Sequence, residues 1–205
     1  MRPHVFTTKE IRDLVDAAAC WSSGGLRAAA YATVFGLLAT TGMRVSEALK
    51  LQREDTDLEH GVLTIRKTKF NKSRLVLLHP SARRALRHYA ERRSSDPANI
   101  HTKTFFAVDG RPITHDALGG AFEAIRERLG WHCRGDRRWP RLHDLRFTFI
   151  CRRIESWYAD NLDVNNLMVS LSTYVGHGLP SATYWYLTAT PKLMLLAARR
   201  SEGHV

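Results

Sequence analysis

Cysteine is scarce in this 205-residue chain: Cys20, Cys133 and Cys151 are all there is. They stand far apart and form no CxxC pair, so neither a disulfide framework nor a thiolate zinc cluster is expected, and the thiols read as reduced. No apolar run is long enough to cross a bilayer, so the sequence offers no membrane-spanning helix. The opening MRPHVFTTKE lacks the apolar heart of a secretion signal, which makes the cytoplasm the expected location. Internal repeats and low-complexity tracts are absent as well. The 44% of hydrophobic residues suffices for one or two small domains with a real core.

The most telling shortage is of negative charge. Acids number 20 against 31 Lys and Arg, for a net charge of +11 and a pI near 10.1. Such an excess points to a polyanionic partner, nucleic acid first and anionic membrane second. The charge is also grouped. Arg66 to Arg74 holds five cations (Arg66, Lys67, Lys69, Lys72 and Arg74) and no acid. Arg126 to Arg153 holds nine arginines against Glu127, Asp136 and Asp144, whereas Glu155 to Gly176 has three acids and no Lys or Arg. A merely solvated surface mixes its signs more evenly, so nucleic-acid binding is the expectation.

Periodicity predicts a mostly helical chain with one small sheet. Thr7 and Glu10 make a capping box ahead of Ile11, Leu14, Val15, Ala18 and Ala19 at helical spacing. Ser22 to Gly25 is a break. Leu26 to Ala39 is apolar nearly all round, the mark of a buried helix, and Gly42 supplies its stop. Val45 to Leu51 reads as a short helix. VLTIR and RLVLL read as strands joined by a basic hairpin tip, KTKFNKS. A basic helix starts at Pro80 and runs to about Arg93; TFFAV reads as a short strand closed by the turn DGRP. Leu118 to Leu129 marks a helix, followed by a Trp/Arg-rich loop from Gly130 to Leu142. Helices are predicted from about His143 to Tyr158 and from about Asp163 to Val175. Ser181 is placed as the cap of a helix carrying Tyr184 and Tyr186, and Pro191 opens the last one.

Five polar features stand out. Arg44 follows a buried helix and a glycine turn. Lys69 sits at the hairpin tip. His143 and Arg146, three apart in HDLR, share one helix face and could reach one phosphate. His177 follows Gly176. Tyr184 and Tyr186 flank Trp185 in YVGHGLPSATYWY. Each alone has an ordinary reading: a surface arginine, a solvated lysine, a helix-surface pair, a capping histidine, an aromatic stripe in a core.

Together and in this order they resemble the tyrosine recombinases, the phage-integrase family, over about Phe6 to Met194. TTGMRVSEALKL resembles the family's first-arginine motif, TKFNKSRLVLL its β-hairpin, HDLRFTF its HxxR box and YVGHGLPSATYWY its final box. The resemblance implies a mixed fold, mainly α with a small antiparallel β-sheet or hairpin, the DNA breaking–rejoining catalytic fold. It implies Arg44, Lys69, His143, Arg146, His177 and Tyr186 as the catalytic set. In the family the nucleophile lies nine positions after the histidine of the final box, so the resemblance implies Tyr186, although Tyr184 is close in register. The spacing from Arg146 to His177 is longer than in compact members, with the extra residues around ESWYADNLDVNN. The expected organisation is a single catalytic domain over residues 1–205, the family's N-terminal DNA-clamping domain being absent from this chain.

The implied reaction is site-specific DNA recombination or integration. Strands are cut and rejoined by transesterification through a 3′-phosphotyrosyl intermediate and a Holliday junction, without metal or ATP and with no cofactor. Arg44 and Arg146 would clamp the phosphate, guanidinium offering a planar fork that stays charged. His177 would donate a further hydrogen bond. Lys69 would protonate the departing 5′-oxygen, and His143 would assist proton transfer near the tyrosine or orient the phosphate. Trp185 and Tyr184 would pack, and Glu47 would hold Arg44 through a salt bridge. Lys67, Lys72, Arg74, Arg138 and Arg141 are candidate DNA contacts. The partner is double-stranded DNA and not a membrane; the chain is expected as a monomer when free and a homotetramer on DNA. LMLLAA, after Pro191, is the candidate exchanged segment, unless its leucines fold back on their own core. Three rival readings are a type IB topoisomerase, a non-catalytic DNA-binding regulator with the same fold, and a metal-dependent nuclease. The last needs gathered carboxylates that none of these motifs supplies.

Overall fold

A computed structural model describes residues 3–66, 73–132, 139–176, 181–188 and 190–202. Helix α1 (Thr8–Ala19) begins with the expected capping box: Thr7 Oγ1 accepts from Glu10 N–H at 3.1 Å, and the Glu10 carboxylate accepts from Thr7 N–H at 2.6 Å. The break that follows contains Ser22, Gly24 and Gly25, all at positive φ. Helix α2 (Gly25–Thr41) is buried on nearly every side, because alanines and Gly36 let α1 and its other neighbours approach closely. It stops at Gly42 in the left-handed region, and the ring of Phe149 lies where a Cβ would stand. Helix α3 (Val45–Leu49) follows at once.

A three-stranded antiparallel sheet comes next, in the order β1 (Thr56–Asp57), β2 (Val62–Ile65), β3 (Arg74–Leu77). Its register pairs Val62 with Leu77 and Ile65 with Arg74, so the two strands expected on either side of the basic segment are antiparallel neighbours. Leu63, Ile65 and Val76 face the core while Leu75 and Leu77 face out, the period of two that strands impose. Helix α4 (Pro80–Ser94) opens with proline in its first turn.

TFFAV forms less strand than its composition suggests. Only β4 (Ala107–Val108) pairs, with β5 (Arg111–Pro112). Thr104 bridges to Gln52 and Phe105 N–H donates to Leu51 O at 2.7 Å, so this segment's hydrogen bonds go to the chain leaving α3. Phe105 and Phe106 pack on Tyr89.

Helices α5 (His115–Arg128), α6 (Asp144–Ala159) and α7 (Val164–Val175) match their predicted spans closely. The helix expected to carry both tyrosines is instead two pieces. Ser181 is the first residue of α8 (Ser181–Tyr184), and a 3₁₀ turn over Trp185–Thr188 follows before α9 (Pro191–Glu202). The tighter turn rotates successive side chains by more than an α-helix does. Two apolar clusters result, one around α2 and one joining α6, α7, Tyr186 and Leu193. Helix α6 belongs to both: Leu145 packs into the first and Phe147 into the second.

Candidate active site

Two glycine-terminated helix ends organise the site. Helix carbonyls in a last turn lack partners within the helix and form the negative end of its dipole, so they suit cations. Arg146, in the first turn of α6, is 3% exposed. Its Nη1 donates to Gly42 O at the end of α2 (2.7 Å) and to Val175 O at the end of α7 (2.8 Å). Arg44, the N-cap of α3, donates from Nη2 to Gly176 O at 2.7 Å. Its Nη1 reaches Glu47 Oε1 at 2.9 Å, and its backbone N–H reaches Glu47 Oε2 at 2.8 Å. The expected Glu47–Arg44 salt bridge is therefore present.

Glu47 has a second partner that the sequence reading placed elsewhere. Arg74, expected among DNA contacts, points inward at 9% exposure and donates from Nη1 and Nη2 to the two Glu47 oxygens at 3.0 and 2.7 Å. Its Nε donates to Tyr174 O at 2.8 Å. Strand alternation and register turn this first residue of β3 toward the α7 end, where its donors are taken up by Glu47 and Tyr174 O. Its position five residues past Lys69 gave no sign of burial. Two guanidiniums thus bond one carboxylate, and Arg146 lies close enough to feel its charge. Burial pushes the Glu47 carboxyl up, but hydrogen bonds from Arg74 and Arg44 and their charge outweigh it and leave it below its ordinary value. Burial first, then the charge of Arg44, pushes Arg146 down to about 10, which still leaves it charged at neutral pH.

Tyr186 sits beside this cluster on the 3₁₀ turn, 8% exposed. Its ring lies 5.4 Å from that of Phe147. Burial raises the phenol's pKa; the charges of Arg146 and Arg44 and a side-chain hydrogen bond with Arg146 draw it partly back. Arg146 Nη2 is buried and meets no acceptor at normal hydrogen-bond geometry among the described residues. Tyr184 and Trp185 are the more exposed pair, at 38% and 52%, although Trp185 packs as expected, with its ring 5.8 Å from that of Phe147 and 5.3 Å from that of Tyr186. Sequence distance alone does not distinguish the two tyrosines; in the fold they differ in burial, Tyr186 lying inside on the 3₁₀ turn and Tyr184 at the end of α8.

His143 lies at the rim, not on the buried face beside Arg146. It lines a cleft with Arg44, Arg126 and Arg141, and its ring's pKa is lowered by partial burial and then by the charge of Arg146. Arg141 is half exposed and donates to Asp144 Oδ1 at 3.3 Å. Lys67, Lys69, Lys72, Arg138 and His177 lie outside the described residues. Among the described residues there is no group of three or more His, Cys, Asp or Glu placed to hold a metal ion, and no helix long and apolar enough to cross a membrane.

Buried arginines seated on helix ends beside a tyrosine, in a mainly helical domain with a basic hairpin, define a class of site built to hold an anion against a phenol. The chain belongs to the phage integrase family, whose model matches residues 4–191. It is 37% identical over 207 residues to y4rB of Sinorhizobium fredii, a protein named as an integrase/recombinase; the match covers 98% of this chain and 66% of y4rB. The chain thus spans just under two thirds of that relative's length. The fold is that of the XerA recombinase (TM-score 0.74, 20% identity, 98% of this chain and 64% of that one). It is also that of XerH, a site-specific recombinase solved on its palindromic difH substrate (TM-score 0.69, 22% identity, 90% of this chain and 49% of that one).

Proposed function

We propose that this chain is the catalytic domain of a tyrosine-type site-specific DNA recombinase. The observation that carries the reading is the convergence of Arg44 and Arg146 on the buried Tyr186, with Glu47 as the acid among three arginines. A phosphodiester brought to this point meets excess positive charge and a nucleophile together. Tyr186 Oη bonds to phosphorus as the P–O5′ bond breaks. The phenol loses its proton and the departing 5′-oxygen gains one, Lys69 being the proposed donor. The product is a 3′-phosphotyrosyl diester, and a 5′-hydroxyl from a partner strand reverses the step.

The arginines are already oriented by backbone carbonyls, so little reorganisation is needed when charge builds on the non-bridging oxygens. Such prepositioned donors contribute on the order of 3 kcal/mol each. His177 is proposed as a further donor, and His143, at the rim, as the group that moves a proton near the phenol or orients the phosphate. Exposed Arg141, with Lys67, Lys72 and Arg138, would meet the DNA backbone. The reading takes duplex DNA as partner, with a homotetramer on DNA and a monomer when free. Leu193 packs into the chain's own second core while Met194 and Leu195 stay exposed, an arrangement that suits the free monomer. Binding by this domain alone should weaken steeply with salt, with a log–log slope of about −0.9 per neutralised phosphate.

The test is to incubate the chain with a pool of nicked, random-sequence duplexes and look for an SDS-stable protein–DNA adduct. An adduct at Tyr186 supports the reading. Strand cleavage that leaves no covalent protein would refute it.

A further inference from the structure

We infer that Arg74 is a positioning residue for strand cleavage, acting by sharing Glu47 so that this carboxylate does not neutralise Arg44. The inference rests on the recombinase reading above. Arg44 and Glu47 by themselves form a pair of zero net charge. An arginine and a carboxylate side by side favour the two-bond fork, which would occupy the donors that a phosphate needs. Arg74 takes that fork instead, with Nη1 on Oε1 at 3.0 Å and Nη2 on Oε2 at 2.7 Å. Arg44 is left with one side-chain bond to Glu47, through Nη1, while its Nη2 is anchored on Gly176 O. With the Arg44 backbone N–H added, four donors fill the two Glu47 oxygens.

The two arginines therefore divide the work. Arg44 is 32% exposed and open to the cleft, whereas Arg74 is 9% exposed and cannot touch a phosphate itself. Arg74 Nε on Tyr174 O fixes the same guanidinium to the end of α7, two residues before the carbonyl that holds Arg44. One side chain thus sets both the charge left on Arg44 and the place of its anchor.

The test first recovers a cleaved sequence from adducts that the unaltered 205-residue chain forms on the nicked random pool. Single-turnover cleavage of that duplex is then compared with the same duplex carrying a methylphosphonate at the scissile position. The methylphosphonate is neutral, so arginine charge has less to offset there. Arg74→Met should slow cleavage of the ordinary duplex by about 10- to 100-fold, the size of loss found when the hydrogen-bond partner behind a metal ligand is removed. On the methylphosphonate it should cleave nearly as fast as the unaltered chain. Adding Glu47→Gln to Arg74→Met should recover part of the ordinary rate. If Arg74→Met does not fold, Arg74→Lys, which keeps the charge but cannot bridge all three acceptors, is read by the same contrast and should show a smaller deficit of the same kind. An equal deficit on both substrates would show that Arg74 only holds the fold together and would overturn the inference alone. No adduct from the unaltered chain would overturn the recombinase reading, and this inference with it.

Discussion

Arg44 Nη2 and the carbonyl oxygen of Gly176 are 2.7 Å apart, across 132 residues of sequence. The glycine is needed on two counts. Its φ of +72° is unfavourable for other residues, and a Cβ would stand 2.5 Å from Arg74 Nη1. Gly176→Ala should therefore lower stability by about 1–3 kcal/mol and reduce DNA cleavage by displacing both arginines. Urea denaturation and adduct yield check it together; a variant with unchanged stability and rate would mean that the turn tolerates a side chain.

Tyr186→Phe should abolish covalent attachment to DNA, while Tyr184→Phe should leave it. The two tyrosines differ in burial and in their neighbours: the charges of Arg146 and Arg44 act on the Tyr186 phenol. Peptide mapping of the adduct decides between them, and attachment at Tyr184 would overturn the assignment.

Arg44→Lys should lose most of the cleavage rate, by about 10²–10³-fold, with little change in DNA affinity. Lysine keeps the charge but cannot span Glu47 and Gly176 with a planar fork. Near-normal single-turnover rates would remove Arg44 from the clamp.

Cleavage should persist in EDTA. The phosphate's charge is assigned here to Arg44 and Arg146, not to an ion. Rates measured with and without added magnesium test this, and strict dependence of the chemical step on magnesium would count against the mechanism.

Glu47 should make stability pH-dependent in a predictable direction. Its folded-state pKa is depressed below the ordinary carboxyl value of 4.5 by hydrogen bonds from Arg74 and Arg44 and by their charge. The unfolded chain therefore takes up the proton first as pH falls. The stabilisation is fully present above pH 4.5 and is lost as the pH drops below it through the folded value. Glu47→Gln should melt below the unaltered chain at pH 7, and the gap should narrow toward pH 3. A gap that stays constant with pH would show that the carboxylate's charge does not contribute.

Much of the fold was legible in the sequence because local signals agreed with the final packing. The Thr7–Glu10 box, the all-apolar run ending at Gly42, the alternation in VLTIR and RLVLL, and Pro80 and Pro191 at helix starts each act within a few residues. So did the order of the motifs around Arg44, HDLR and the final tyrosines, which is enough to state the family.

What the sequence could not decide was set by contacts between residues far apart in the chain. Composition marks Arg74 as one more cation of a basic hairpin, yet β-register and the end of α7 turn it inward onto Glu47 and Tyr174. Two tyrosines one residue apart look alike until a 3₁₀ turn buries Tyr186 against Phe147 and leaves Tyr184 outside. Gly42 reads only as a helix stop and Gly176 only as the residue before His177; folding makes Gly42 O and Gly176 O, with Val175 O beside them, the acceptors that aim Arg146 and Arg44. Caps and periodicity are short-range effects of backbone geometry. Burial and the choice of hydrogen-bond partner depend on which surfaces meet, and only the assembled chain determines that.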